Sequence, residues 1–221
     1  MKILAFNGSP RRNGNTSLLL NKMLTGARDV GAFVEEIIAE QVNLKYCKGC
    51  LRCNILKSCA IRNDDWTDLS RKILEADTLI FATPIYFHHV TAPLKKIIDR
   101  FRSFIHVQIT EQGLIHTPWQ KWRKQIVLIL CLGSSVEDDA RPVIELFQFL
   151  SSALGRDDKI LSIVGTRLAI VNQVKMSKQE LSVLYPKLKL PLHLVEKDYQ
   201  RNQNLLKKCY EIGEKLGSLT G

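Results

Sequence analysis

Apolar residues in this chain come in short unbroken runs separated by stretches of helical periodicity. Lys2 to Phe6, Thr78 to Ala82, Gln125 to Leu132 and Lys159 to Val164 are apolar at nearly every position. The first three of these end at turn signals: Gly8 and Pro10, Thr83-Pro84, and Gly133-Ser134-Ser135. Such bounded runs predict buried strands. Phe33 to Ala39 predicts a further strand, its alternation weakened at Ile37-Ile38. Between them, Leu18, Leu19, Leu20, Met23 and Leu24 give an apolar stripe over Thr16 to Arg28, stopped at Gly31. Leu69, Ile73 and Leu74 follow Asp64-Asp65, whose carboxylates are expected to cap a helix there. Ala92 to Phe104 carries Leu94, Ile97, Ile98 and Phe101, with Pro93 in its first turn. Ala140 to Leu154, closed by Gly155, and Tyr199 to Leu216 complete the helices. Strands that are apolar throughout and alternate with helices predict an α/β domain, a parallel sheet covered on both faces. Five strands fit a doubly wound sheet of order 2-1-3-4-5 within a single domain over residues 1–221. Two segments exceed ordinary connections: 105–124, with Trp119 and Trp122, and 166–198, with Pro186 and Pro191. They are expected as additions packed on the domain or at a subunit interface.

Composition narrows the setting. With 45% hydrophobic residues, a chain of 221 supports an ordinary core. No apolar run reaches the roughly 18 residues a membrane-spanning helix needs. The N-terminal apolar stretch is too short for a signal peptide and breaks at Gly8-Ser9-Pro10. The expectation is a cytoplasmic protein without a membrane partner. Six cysteines in that setting point to metal or redox chemistry rather than a disulfide framework. The formal charge of +10 favours anionic ligands or acidic partners, beside the plainer reading of a lysine-rich solvated surface. The densest basic stretch, Lys121-Trp122-Arg123-Lys124, is short, and no nucleic-acid-binding motif accompanies it.

Candidate chemistry lies first in the loop after strand one, Gly8-Ser9-Pro10-Arg11-Arg12-Asn13-Gly14-Asn15-Thr16-Ser17. A helix starting near Thr16 turns unpaired N–H groups and a partial positive charge toward an anion. Ser9, Thr16 and Ser17 bring hydroxyls, and Arg11 and Arg12 bring charge. The same residue types also serve as ordinary helix caps and turns. The loop matches neither the Walker pattern nor the dinucleotide fingerprint. Its position, after the first strand, is where doubly wound sheets bind ligands.

The second candidate is Cys47-x2-Cys50-x2-Cys53-x5-Cys59. Four sulfurs on one short loop suit an iron–sulfur cluster, and the spacing resembles that of bacterial ferredoxins. Zinc also takes four thiolates, usually from two separated pairs, and a metal-free thiol loop is the third reading. Cys131 in an apolar strand and Cys209 on an amphipathic helix read as core. His88-His89 reads as a pair of surface loop histidines, with no third ligand spaced for a metal.

Three stretches carry a resemblance to a known family. Asn7-Gly8-Ser9-Pro10-Arg11-x-x-Gly14-Asn15-Thr16-Ser17 resembles the FMN-phosphate loop of the NADPH-dependent FMN reductase family, within the flavodoxin-like superfamily. Ala82-Thr83-Pro84-Ile85-Tyr86-Phe87 and the helix from Thr91 to Arg100 are similar to that family's segments beside the flavin ring. The cysteines resemble those of its iron–sulfur flavoprotein branch, although clusterless members carry a Cys-x-x-Cys-x-x-Cys stretch at the same place. The resemblance implies a flavodoxin-like fold and FMN. Ser9, Arg11, Asn15, Thr16 and Ser17 would hold the phosphate, and Pro84, Ile85, Tyr86 and Phe87 would lie beside the ring. It further implies a [4Fe–4S] cluster on Cys47, Cys50, Cys53 and Cys59, within a compact loop over residues 45–62. It also implies an acidic ferredoxin-like donor, a small acceptor such as dioxygen, peroxide or a quinone, and a homo-oligomer, dimer or tetramer. The competing expectations are a clusterless NAD(P)H-dependent FMN or quinone reductase and a carrier module without turnover.

Overall fold

The computed structural model describes residues 1–120, 122–156 and 160–218. The expected strand start at Lys159, and Lys121 of the basic stretch, lie outside the described residues. Five strands form the central sheet: β1 (Lys2–Asn7), β2 (Phe33–Ile38), β3 (Thr78–Pro84), β6 (Gln125–Cys131) and β7 (Leu161–Gly165). Their order is β2-β1-β3-β6-β7, all parallel, which is 2-1-3-4-5 when only these strands are counted. Helices α1 (Asn15–Asp29), α3 (Trp66–Glu75), α4 (Ala92–Arg100), α5 (Arg141–Ala153) and α7 (Leu194–Ser218) cover it. A single-turn helix α2 (Cys53–Leu56) sits in the cysteine loop.

The unbroken apolar runs follow from burial on both faces. Along β1, Ile3 and Ala5 face one core while Leu4 and Phe6 face the other. Along β3, Leu79 and Phe81 alternate likewise with Ile80 and Ala82. One core is aromatic, with Phe6 stacked on Phe81 at 4.9 Å and Phe81 tilted against Phe147 at 4.6 Å. The other lies between the sheet and α1 with α7. Those two helices touch backbone to backbone. A Cβ on Gly213 would stand 1.9 Å from the Met23 carbonyl oxygen, so only glycine permits the crossing.

The two long segments resolve into structure that the sequence pattern does not mark. Residues 105–118 form an antiparallel hairpin, β4 (Ile105–Thr110) with β5 (Gly113–Pro118), turning through Glu111-Gln112. Ile105, Val107 and Trp122 enter the aromatic core, while Ile109, Leu114 and Ile115 stay exposed. The second segment contains α6 (Lys178–Lys187), started by a reciprocal capping box between Ser177 and Glu180. Helix α7 begins at Leu194 rather than Tyr199, directly after the Pro191 turn. The expected capping by Asp64-Asp65 holds for Asp64, whose carboxylate accepts from the N–H of Trp66, the first residue of α3 (3.2 Å). Asp65 occupies the N-cap position of α3 but makes no side-chain cap there. Its carboxylate instead accepts from the Asn43 N–H (2.7 Å), at the neck of the cysteine loop. Among the described residues, no helix is long and apolar enough to cross a membrane.

Candidate functional site

The loop between β1 and α1 is tied to itself. The Asn7 amide donates to Ser17 Oγ (3.0 Å) and to Glu36 (2.9 Å), and its oxygen accepts from the Ser9 N–H (3.0 Å). Ser9 Oγ donates to the Arg11 carbonyl (3.1 Å). The Thr91 hydroxyl donates to the Gly8 carbonyl (2.8 Å), joining this loop to the start of α4. Gly14 precedes α1 and brings no side-chain cap, so the helix N-terminus faces the cleft with its own N–H groups. A Cβ at Gly14 would come within 2.8 Å of Ser9 Oγ, so a side chain there would fill the cradle. An anion fits such a helix end.

Ser9, Arg11, Asn15, Thr16, Pro84, Ile85 and Tyr86 line one cleft of about 280 Å³ at the C-terminal end of the sheet. The structure brings these seven of the nine expected flavin-site residues together. Ser17 and Phe87 are not in the lining. Ser17 Oγ is turned back to Asn7 and to the Arg11 carbonyl (3.1 Å). Phe87 is fully exposed and, with His88, holds a left-handed backbone (φ 49° and 59°) in a tight turn closed by Tyr86 and His89. Two adjacent non-glycine residues in that region are uncommon. The Asn15 amide is fully engaged with backbone groups of the chain. It donates to the carbonyls of Leu168 (3.0 Å) and Ile170 (2.8 Å) and accepts from the Val174 N–H (2.9 Å). It thereby fastens a wall of the cleft, made by Leu168, Ala169 and Val171. Sequence reasoning missed this wall, since it comes from the second long segment. Cys131 is buried as expected, and it also lines the cleft. Burial pushes its thiol up to about 12, slightly offset by the Thr16 hydroxyl.

The cysteine loop stands beside the aromatic core. Its neck is closed by Arg100, which donates to the Lys45 carbonyl (2.8 Å) and to Asp64 (2.6 Å) in a fully buried ion pair. Asp64 also accepts from the N–H groups of Lys45 (3.1 Å) and Trp66 (3.2 Å). Burial pushes the Asp64 carboxyl up, but the Arg100 bond and these two N–H groups outweigh it and hold the group below the usual carboxylate range. Inside the loop, Gly49, Leu51 and Lys57 take positive φ, bending the chain around a centre. All four cysteines, with Arg100 and Arg102, line one cleft there. Cys53 is buried, and burial raises its thiol pKa against the opposing Arg102 guanidinium. Arg102 Nη1 donates to Cys53 Sγ at 3.5 Å.

Among the described residues, no three His, Cys, Asp or Glu side chains are gathered closely enough for a single metal ion. Four thiolates are the donor set of a [4Fe–4S] cluster and equally of a tetrahedral zinc ion, and all four thiols border one cleft. Arg100 Nε is buried without a hydrogen-bond partner in a residue of the same lining, as expected where an acceptor belongs. Two guanidiniums also suit an anionic thiolate cluster. Nothing in the spacing of the cysteines identifies Arg100 and Arg102.

A five-stranded doubly wound sheet with its cleft at the strand ends defines a flavodoxin-like α/β protein. The model of the NADPH-dependent FMN reductase family matches residues 1–156, and the chain belongs to that family. An iron-sulfur flavoprotein of Archaeoglobus fulgidus is 36% identical over 106 residues, 48% of each chain. One from Methanocaldococcus jannaschii is 38% identical over 102 residues, 46% of this chain and 52% of its own. The chain spans about half the length of the curated relatives it matches. The fold is similar to that of an NAD(P)H:quinone oxidoreductase from Methanothermobacter marburgensis. Its TM-score is 0.63 at 13% identity, covering 100% of this chain and 99% of that one.

Proposed function

We propose that this protein is an FMN-dependent oxidoreductase of the iron–sulfur flavoprotein branch. In this reading it passes electrons from an acidic ferredoxin-like donor, through a [4Fe–4S] cluster and FMN, to a small acceptor such as dioxygen, peroxide or a quinone. The observation that carries the reading is the cleft shared by Cys47, Cys50, Cys53, Cys59, Arg100 and Arg102 on a chain whose relatives are named iron-sulfur flavoproteins. When bound, flavin exchanges one- and two-electron steps and the cluster single electrons. The chain's own residues bind and orient. Ser9, Thr16, Arg11 and the N-terminus of α1 would hold the phosphate, Pro84 to Tyr86 would lie beside the ring, and the four thiolates would hold the cluster over residues 45–62. No side chain is assigned a proton-transfer role.

The donor reading draws on charge. Lys45, Lys48, Arg52, Lys57 and Arg62 are all exposed, and residues 45–62 contain no acid. Such a face attracts an acidic protein. Six free cysteines suit a reducing, cytoplasmic setting. The exposed hairpin residues Ile109, Leu114 and Ile115 offer an apolar face to a second copy in a homo-oligomer. A second reading, a clusterless NAD(P)H-dependent FMN or quinone reductase, draws on the thiols not being gathered, among the described residues, as a metal site would need.

Iron, acid-labile sulfide and zinc per FMN, on protein purified without oxygen, separate the two. The cluster reading expects about four iron and four sulfide per FMN. FMN without iron, even after anaerobic reconstitution, overturns it in favour of the second reading.

A further inference from the structure

Among the described residues, the contacts of Arg102 have no counterpart at the other cysteines of the loop. Its guanidinium makes three contacts at once. Nη1 donates to Cys53 Sγ at 3.5 Å and to the Ile105 carbonyl at 2.7 Å, and Nη2 donates to Asn54 Oδ1 at 3.1 Å. Asn54 in turn accepts from the Val107 N–H (3.0 Å) and donates to the Val107 carbonyl (2.7 Å), as a neighbouring strand would. One guanidinium thus joins a cysteine sulfur, helix α2 and strand β4. The Cys53 thiol also donates to the Arg102 carbonyl at 3.8 Å. That contact needs the thiol proton and ends when sulfur becomes a metal ligand. The N–H to sulfur contact survives, and it strengthens as the sulfur gains negative charge.

We propose that Arg102 tunes the reduction potential of the group held by the four cysteines, raising it through its charged N–H contact to Cys53. The inference rests on the cluster reading above. Reduction adds one electron to the cluster and takes one from a one-electron donor, either a low-potential redox protein or reduced flavin. No bond forms or breaks and no proton moves. The added negative charge spreads onto the cysteine sulfurs, so a cation bonded to one of them stabilises the reduced form more than the oxidised form. Partial burial keeps solvent from screening that difference. Arg102 acts through Cys53 and is therefore a positioning and tuning residue. A purely structural role predicts a different result, since loss of the ties to Ile105 and Asn54 would lower stability without moving the potential.

The test is an anaerobic redox titration, followed by electron paramagnetic resonance of the reduced cluster, on full-length wild type, Arg102→Gln, Arg102→Lys and Asn54→Ala. Iron and sulfide are measured on each, with a urea midpoint for stability. In Arg102→Gln, which removes the charge, the cluster should be at least tenfold harder to reduce. That corresponds to a shift of about 59 mV to lower potential for a one-electron couple. Arg102→Lys, which keeps the charge but loses the planar fork, should fall between it and wild type. Asn54→Ala, which frees one arm of the fork, should shift the potential less and in the same direction. Equal potentials in wild type and Arg102→Gln at full iron content overturn the proposal and leave the cluster reading standing. A wild type that holds no iron overturns both. If Arg102→Gln loses its iron, the other two variants decide by the same criterion. Loss of iron from all three would make Arg102 a structural part of the loop and overturn tuning.

Discussion

Over residues 7–17, polar side chains bond back onto the loop that carries them. Over residues 45–62, most side chains point to solvent. The first loop is bounded by β1 and α1, crossed by Thr91 and walled by residues 168–171. The second is held at its neck by Arg100 with Asp64 and at one inner point by Arg102 with Asn54. Between these ties it contains one helical turn and three left-handed residues. The difference teaches how each site reaches its geometry. The cleft at the strand ends is shaped by ties within the fold itself. The cysteine loop supplies donors and charge, and in the proposed reading a bound cluster would complete it. Binding free energy then enters loop stability directly in the second case and hardly in the first.

The sharpest break between the two is Cys50→Ser. It should abolish iron binding and leave FMN bound, read by iron analysis and the flavin spectrum of one sample. Survival of both the iron and its visible band would remove Cys50 from the ligand set. Next is Arg100→Met. It leaves Asp64 buried without its partner and should lower unfolding free energy by about 3–5 kcal/mol. Urea denaturation measures that, and the accompanying loss should fall on the cysteine loop, with FMN affinity little changed. A smaller effect is expected from Ser9→Ala or Thr16→Ala, each alone. Hydrogen bonds to a charged group contribute about 1.5–3 kcal/mol, so FMN should bind roughly 10- to 100-fold more weakly. Fluorescence titration reads this, and unchanged affinity would remove the phosphate role.

The smallest effect is on pH. Asp64 has a folded pKa below its unfolded value, so its contribution to stability is fully present above the ordinary aspartate pKa of about 3.9. It fades as pH falls through the lower folded value. Acid below about pH 4 should therefore loosen the loop neck, and Asp64→Asn should flatten that part of the stability profile. An identical acid profile in the variant would contradict the role given to this pair.

The sheet was legible because β1, β3 and β6 are buried on both faces, and such burial leaves an unbroken apolar signature. The hairpin was not, because its alternating residues are divided between core and solvent within a segment that tryptophan and lysine make ambiguous. Ser9, Arg11, Thr16 and Pro84 to Tyr86 were legible as cleft residues, since they lie within a few residues of strand ends. The role of Asn15 was not, because its partners are more than 150 positions away. Arg100 and Arg102 escaped for the same reason, each meeting the cysteine loop about 50 positions along the chain.

The most direct test of the contrast is amide hydrogen exchange on one FMN-loaded preparation, before and after anaerobic reconstitution with iron and sulfide. The account predicts a large gain in protection over residues 46–61 and little change over residues 7–18. Equal protection of the cysteine loop in both states would contradict it, because the loop would then be as fully built by the fold as the flavin cleft.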